Sequence, residues 1–333
     1  METKQVWENV LDGVGNTPLV ELQRVVPEGL RARRVHVYAK VEMLNPTGSV
    51  KDRAARQIVL DALADGRLAR GTGQRIIEAT SGNMGISLAM IGGVLGIPVT
   101  IVMPSSFSRE RRLLMARYGA ELVLTEPAGG MPGAIARADA LCAADPRAFF
   151  RADQFANPSN ARAHERTTGP EIRAALAGRG GVSVFVAGAG TGGTVTGVAR
   201  ALRAHADTAP ARVVAVEPDE SPALSVARAG GAPAPHPHKI QGIGAGFVPR
   251  VLDMALLDAV QRVPGDAAVA MAARLAAEEG LSVGISSGAA VAGAIAYAEQ
   301  HLDDLLAARP DPNTPINVVV ILPDSGDRYL SCE

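Results

Sequence analysis

Short β-branched apolar runs alternate along the chain with longer stretches in which apolar residues recur every three or four positions. The runs "HVYAKVEM" (36–43), "QRIIEA" (74–79), "VTIVM" (99–103), "AELVLTE" (120–126), "VSVFVAG" (182–188) and "RVVAVEP" (212–218) predict strands. Between them, "SVKDRAARQIVLDALADG" (49–66), "GISLAMIGGVLG" (85–96), "RRLLMARYG" (111–119) and "TVTGVARALRAHA" (194–206) have helical spacing. The alternation indicates an α/β fold with a mostly parallel sheet, so the turns after strand C-termini are where chemistry is sought. "PAGGMPG" (127–133), "AGGAPAPHPH" (229–238) and "AARPDPNTP" (307–315) read as exposed loops, and "RADQFANPSN" (151–160) as a crossing between two domains.

One tract resists the simple pattern. From Ala79 to Ser108 the chain carries no charge, which exceeds the ~20 residues a bilayer span needs. Gly96 stands where a helix C-cap belongs and Pro98 forbids continuation, so helix, turn and strand replace the span.

Composition narrows the classes. The 333 residues, 47% hydrophobic and 20% charged, suit two modest globular domains with substantial cores. Thirty-three Lys and Arg against 34 Asp and Glu give a net charge of -1, with no field to draw nucleic acid or anionic lipid. Cys142 and Cys332 lack CxxC spacing and "METKQVWENVLD" lacks a basic-then-apolar leader, which reads as a reducing cytoplasm. The six histidines form no metal-ligand spacing, and His236 and His238 fall in the proline-rich loop.

Three loops have residue types that carry chemistry. In "LNPTGSVKDRAA", Lys51 falls in a first helical turn, where the positive end of the dipole disfavours an ammonium and favours an amine able to condense with a carbonyl and move a proton. The alternative is a partly exposed lysine beside Asp52 and Glu42. In "EATSGNMGIS", Thr80 and Ser81 are placed to cap a helix, while Gly82 and Gly85 allow backbone N–H groups to face an anion, with Asn83 adding a polar side chain. An ordinary capped connection is the alternative. In "VSVFVAGAGTGGTVTGVAR", Gly188, Gly190 and Gly193 satisfy GxGxxG, and Glu217 ends a following strand as a ribose-binding acid would. That admits a dinucleotide, yet Thr191 and Thr194 flanking Gly192 and Gly193 equally suit a single phosphate, and a bare structural turn also fits. "LSVGISSGAAVAGAIAYA" reads as one more strand-to-helix turn, with Ser286 and Ser287 at the cap.

A condensing lysine, a carboxylate-sized loop and a phosphate-sized loop together point to pyridoxal phosphate more than to a dinucleotide. The ordered motifs "GNTPLVEL", "NPTGSVKDRAA", "TSGNMGISLA", "DQFANPSN" with "TTGPEI", "GAGTGGTVTGV", "HKIQGIGAGFVP", "GISSGAAVA" and "LPDSGDRYLS" closely resemble the cysteine synthase (O-acetylserine sulfhydrylase) family of fold-type II pyridoxal-phosphate enzymes. The resemblance covers nearly the whole chain. It implies two open, twisted, mostly parallel-sheet α/β domains, tryptophan synthase β-like, with the cofactor between them. A smaller domain would span 46–155 with 1–12, its mobile part roughly 96–143, and a larger one 156–333 with 13–45.

The resemblance also assigns residues. Lys51 becomes the Schiff-base lysine, Asn83 the contact to the cofactor ring hydroxyl, and Gly190, Thr191, Gly192, Gly193 and Thr194 the cradle for pyridoxal 5'-phosphate. Ser286 meets the pyridine nitrogen. Thr80, Ser81, Gly82, Asn83, Met84 and Gln154 bind the substrate, and Gly242 lines the cleft. The implied reaction is replacement at the β-carbon of O-acetyl-L-serine by sulfide, through an aminoacrylate, giving L-cysteine and acetate. A homodimer, and docking of a serine acetyltransferase C-terminus at the carboxylate loop, are implied too. Another donor or nucleophile, such as O-phosphoserine or homocysteine, is the nearest alternative, and an NAD-dependent dehydrogenase a more distant one.

Met84 departs from the family, which most often has threonine there. A methionine either packs inward against the helix or reshapes the pocket beside the loop. The motifs are also mixed, with "EATSGN", "DQF" and "GDRYLS" similar to B-type isozymes and "HKIQGIGAGF" to A-type.

Overall fold

A computed structural model describes residues 6–106, 109–204 and 211–329. Ten strands are described: β1 Leu19–Leu22, β2 Val35–Val41, β3 Arg75–Ala79, β4 Val99–Pro104, β5 Glu121–Thr125, β6 Phe149–Arg151, β7 Val184–Gly188, β8 Arg212–Pro218, β9 Ala259–Val263 and β10 Ile316–Leu322. They fall into two compact units. One comprises Leu44–Asn160 with the described residues up to Gly15, the other Asn16–Met43 with the described residues from Ala161 onward.

The first unit is built on a four-stranded sheet in the order β5-β4-β3-β6, parallel throughout. Its strands alternate between two faces. Ile76, Val99 and Ile101 meet Ile58, Val59, Ile86, Leu88 and Ile91 on one side, while Ile77 and Val102 meet Ala134 and Ala138 on the other. The helices Lys51–Ala64 and Asn83–Leu95 thus cover one face and Gly130–Ala144 the other. A strand covered on both faces reads as a continuous apolar run, and every residue of β4 is buried.

The second unit carries a six-stranded sheet, β1-β2-β10-β7-β8-β9, in which only the edge strand β1 runs antiparallel to its neighbour. Val37, Val186, Val318 and Val320 pack with Ala290, Val291 and Ala294 of the helix Ile285–Gln300. On the opposite face Phe185, Ala215 and Val319 pack with Val195, Val198 and Leu202 of the helix Gly193–Arg203. Each fully buried valine or phenylalanine among these contributes about 1.5–3 kcal/mol of hydrophobic stabilisation before entropy is charged.

The α/β pattern and the predicted strands are present, with local differences. β2 ends at Val41, and Glu42–Leu44 forms a 3-10 turn. The helix at 49–66 begins only at Lys51. Gly130 to Gly133, expected in a loop, form the start of a helix. "LSV" is not a strand; Val283 makes one isolated bridge to Ser325. The end of the helix predicted to residue 206, Phe107 and Ser108 of the uncharged tract, and Cys332 lie outside the described residues. Gly96 adopts φ +66 and its N–H returns to the Gly92 carbonyl, the left-handed cap expected of it. Among the described residues no helix is long and apolar enough to cross a membrane.

Candidate active site

In the first unit the chain reaches Lys51 through a loop tied to its own helix. The Thr47 N–H donates to Asp52 Oδ2 at 2.7 Å and its hydroxyl to Asp52 Oδ1 at 2.5 Å. The Ser87 hydroxyl, from the helix Asn83–Leu95, lies 2.6 Å from the same Oδ1 and 3.0 Å from the Asn83 carbonyl. Asp52 is 0% exposed, so donors such as these replace the water it would otherwise need. Lys51 is the first residue of its helix, half-buried, its N–H donating to Ser49 Oγ at 3.1 Å. The N-cap residue, Val50, makes no side-chain cap; Ser49 Oγ takes the first helical N–H, and Asp52 lies in the first turn.

The second loop leaves β3 at Ala79. The Thr80 N–H extends the ladder to the Val102 carbonyl at 3.1 Å, and Thr80 Oγ1 accepts the Gly82 N–H at 3.2 Å. Gly82, rather than Thr80 or Ser81, occupies the N-cap of the helix Asn83–Leu95, and no side chain caps it. Ser81, Gly82 and Asn83 are half-buried. Gly85 has a packing role instead of an outward one: a Cβ there would stand 2.8 Å from Met115 Cε and 3.1 Å from Thr80 Cγ2. Met84 is 1% exposed and belongs to the core with Ile58, Ile86 and Met115. Its side chain is therefore turned inward, leaving only its backbone to face a ligand at this loop.

Gln154 follows β6 in the same unit. Ala152 N–H bonds the Ile77 carbonyl at 3.1 Å, Asp153 takes φ +50, and the Gln154 carbonyl accepts Asn160 Nδ2 at 2.8 Å. The Asp153 and Gln154 N–H groups converge on the Glu78 carboxyl, Oε2 at 2.8 Å and Oε1 at 3.4 Å. Burial pushes Glu78 up to about 7, against the lowering effect of Arg151 and of the two N–H groups.

In the second unit the glycine loop follows β7. A Cβ on Gly190 would stand 2.4 Å from the Gly242 carbonyl oxygen, and Gly192, at φ +78, would meet Leu252 Cβ at 2.4 Å. These glycines are needed for close backbone approach. Gly244 N–H donates to the Ala189 carbonyl at 3.3 Å, which fixes the "QGIG" loop against the glycine loop. Thr191 Oγ1 accepts the Gly193 N–H at 3.4 Å. Thr194 Oγ1 lies 3.2 Å from Nε2 of the buried His164, whose Nδ1 is 2.9 Å from Thr168 Oγ1. Ser286 is near too, its Oγ 3.8 Å from the Cβ position of Gly242. It is the second residue of the helix Ile285–Gln300, with Gly284 at the N-cap, so neither Ser286 nor Ser287 is the cap.

The residues expected to act thus form two groups. The loops of Lys51 and Thr80–Met84 are linked through Asp52 and Ser87, and Gln154 is linked to β3 through Glu78, in the first unit. Gly190–Thr194, Gly242 and Ser286 are gathered in the second. Asp52, Ser87, Glu78 and His164 went unrecognised from sequence, because no spacing signals a partner so far along the chain. Glu217, the acid that a dinucleotide site needs, is 1% exposed and accepts the N–H groups of Leu224 at 2.7 Å and Ser225 at 3.0 Å. Both of its oxygens are occupied by the first turn of the helix Ala223–Arg228, so the dinucleotide reading loses its ribose partner.

The glycine loop fits a phosphate monoester. Its 11-residue helix starts at Gly193 with a glycine as the N-cap residue, a Cβ at Gly190 or Gly192 would collide with the neighbouring chain, and two threonine hydroxyls border the turn. The model of the family "Pyridoxal-phosphate dependent enzyme" matches residues 10–324. Cysteine synthase A of Escherichia coli (strain K12) is 45% identical over 327 residues, covering 98% of this chain and 95% of the relative. The crystal structure of O-acetyl serine sulfhydrylase isoform 3 from Entamoeba histolytica superposes with TM-score 0.86 at 40% identity, over 99% of this chain and 92% of that one. That of O-ureido-L-serine synthase does so with TM-score 0.84 at 42% identity, over 98% and 94%. The chain belongs to the cysteine synthase family of pyridoxal-phosphate-dependent enzymes.

Proposed function

We propose that the chain converts O-acetyl-L-serine and sulfide to L-cysteine and acetate, with pyridoxal 5'-phosphate as cofactor. The observation that carries this reading is the tie from Lys51's loop through Asp52 to Ser87, which puts an amine and an anion-sized loop on one rigid frame. Bound pyridoxal phosphate supplies an aldehyde that condenses with amines and a ring that accepts the α-carbon's electron pair.

The chain's own residues do the rest. Thr80, Ser81, Gly82, Asn83 and Gln154 grip the substrate carboxylate through hydroxyl, amide and backbone donors, which fixes the α-carbon. Lys51 Nζ takes the α-proton and later returns it. Gly190–Thr194 hold the phosphate, with His164 orienting the Thr194 hydroxyl. Ser286 offers the ring nitrogen a neutral hydroxyl, which keeps the ring a weaker electron sink than a carboxylate partner would and favours prompt loss of the β-substituent.

Borohydride reduction of the purified protein followed by peptide mapping should place a pyridoxyl group on Lys51. Turnover with O-acetylserine and sulfide should exceed that with O-phosphoserine or homocysteine. An unmodified Lys51 in cofactor-replete protein refutes the assignment. The same reading includes a homodimer, a cytoplasmic location and docking of a serine acetyltransferase C-terminus at the Thr80–Asn83 loop. A different donor or nucleophile is the second reading, supported by the 42% identity to O-ureido-L-serine synthase. Met84, buried in the core, gives that alternative no direct contact.

A further inference from the structure

Glu78 is a buried carboxyl that the reaction above leaves unused. It stands on β3 two residues before Thr80 and is 2% exposed. Its oxygens each take one backbone N–H from the turn after β6, Asp153 at Oε2 and Gln154 at Oε1. Asp153 holds φ +50 there, an uncommon state for a residue with a side chain, so the turn depends on what its amides meet. Gln154 is buried, so its amide demands an acceptor, and its carbonyl is held by Asn160 Nδ2.

We propose that Glu78 is the positioning residue that holds Gln154 in register with the Thr80–Asn83 loop, so that two segments far apart in sequence grip one substrate carboxylate. The inference rests on the carboxylate-binding assignment made above. The requirement for Glu is specific: two N–H groups converge on it, and a carboxylate presents two acceptors where glutamine turns an N–H toward one of them. The charged groups that face it are Arg151, which stabilises the ionised form, and Asp153, which opposes it. With the carboxyl pushed up to about 7, its acceptor strength falls as pH drops through neutrality, and the grip on the donor falls with it.

The test uses the holoenzyme with Glu78→Gln, Glu78→Ala, Gln154→Ala and the double variant Glu78→Gln/Gln154→Ala. Glu78→Gln keeps the experiment informative if the alanine variant fails to fold. Glu78→Gln should raise KM for O-acetylserine about tenfold, the scale of one lost charge-assisted hydrogen bond, with kcat and the KM for sulfide within about twofold. The acid-side fall of kcat/KM for O-acetylserine should be shallower than in the parent. Amide exchange at Asp153 and Gln154 should accelerate while the rest of the unit is unchanged. In the Gln154→Ala background, Glu78→Gln should add little. If Gln154→Ala raises the donor KM and Glu78→Gln does not, the positioning role is overturned and the carboxylate assignment stands. If Gln154→Ala leaves the donor KM unchanged, the assignment itself falls. Faster exchange throughout the unit with kcat and both KM values degraded marks Glu78 as merely structural, and also overturns the proposal.

Discussion

Replacing Asp52 by alanine tests how the lysine loop is held. The substitution removes the acceptor of the Thr47 N–H, the Thr47 hydroxyl and the Ser87 hydroxyl, at 2.5–2.7 Å around a carboxylate with 0% exposure. Hydrogen bonds to charged groups are worth about 1.5–3 kcal/mol each, and groups sharing one acceptor are not additive. Leaving a buried donor without its acceptor costs about 1–3 kcal/mol, which sets the scale of the loss. Calorimetry should therefore show Asp52→Ala markedly destabilised. Asp52→Asn should lose only about 1–1.5 kcal/mol, because the amide can flip so that its oxygen accepts the Thr47 N–H while its NH2 donates to hydroxyls that rotate. Catalysis should separate the two further. A displacement of the amine by about 1 Å costs roughly 100-fold, so kcat should fall by about that factor in Asp52→Ala and much less in Asp52→Asn. A folded Asp52→Ala enzyme with kcat within twofold of the parent would refute the claim that this network positions Lys51.

Gly190→Ala should lower cofactor affinity at least about tenfold, because its Cβ meets the Gly242 oxygen at 2.4 Å and must push the loops apart; fluorescence titration of apoenzyme with pyridoxal phosphate measures it. Met84→Leu should cost under about 1.5 kcal/mol and leave KM for O-acetylserine unchanged, whereas Met84→Ala should cost about 2–5 kcal/mol; a changed donor KM in the leucine variant would show that the side chain reaches the ligand. Glu78 also sets a pH dependence of stability. Its carboxyl is raised in the fold, so the native state binds its proton more tightly than the unfolded chain; that contribution is fully present below about pH 4.5 and lost as pH rises through about 7, on the order of 3 kcal/mol. Chemical denaturation from pH 4.5 to 8 should show this component in the parent and its absence in Glu78→Gln.

The sequence by itself determined the rhythm of strand and helix, because apolar periodicity reports which faces are buried. It placed the Thr80 and Gly190 loops directly after strands and put Lys51 in a first helical turn, since caps, glycines and prolines act within a few residues. Gly96 is such a case: its left-handed φ and the turn before Pro98 are local necessities, and they removed the membrane reading without any tertiary information. Strand order was beyond that logic. β10 lies between β2 and β7, yet its apolar run says only that it is buried on both faces, and the pattern reading passed over it together with β1, β6 and β9.

Tertiary structure alone decided who satisfies whom. Asp52 and Ser87 are 35 residues apart, and Glu78 and Gln154 are 76 apart. Gly190 is a glycine because the Gly242 carbonyl presses on it, and Glu217 is excluded from ligand binding because its carboxylate is taken by the Leu224 and Ser225 N–H groups. Met84 was ambiguous in sequence for the same reason, since helical spacing places a side chain near a loop without saying which way the core lies. Periodicity fixes a residue's face, whereas the pairing of buried donors and acceptors is closed only when distant segments meet.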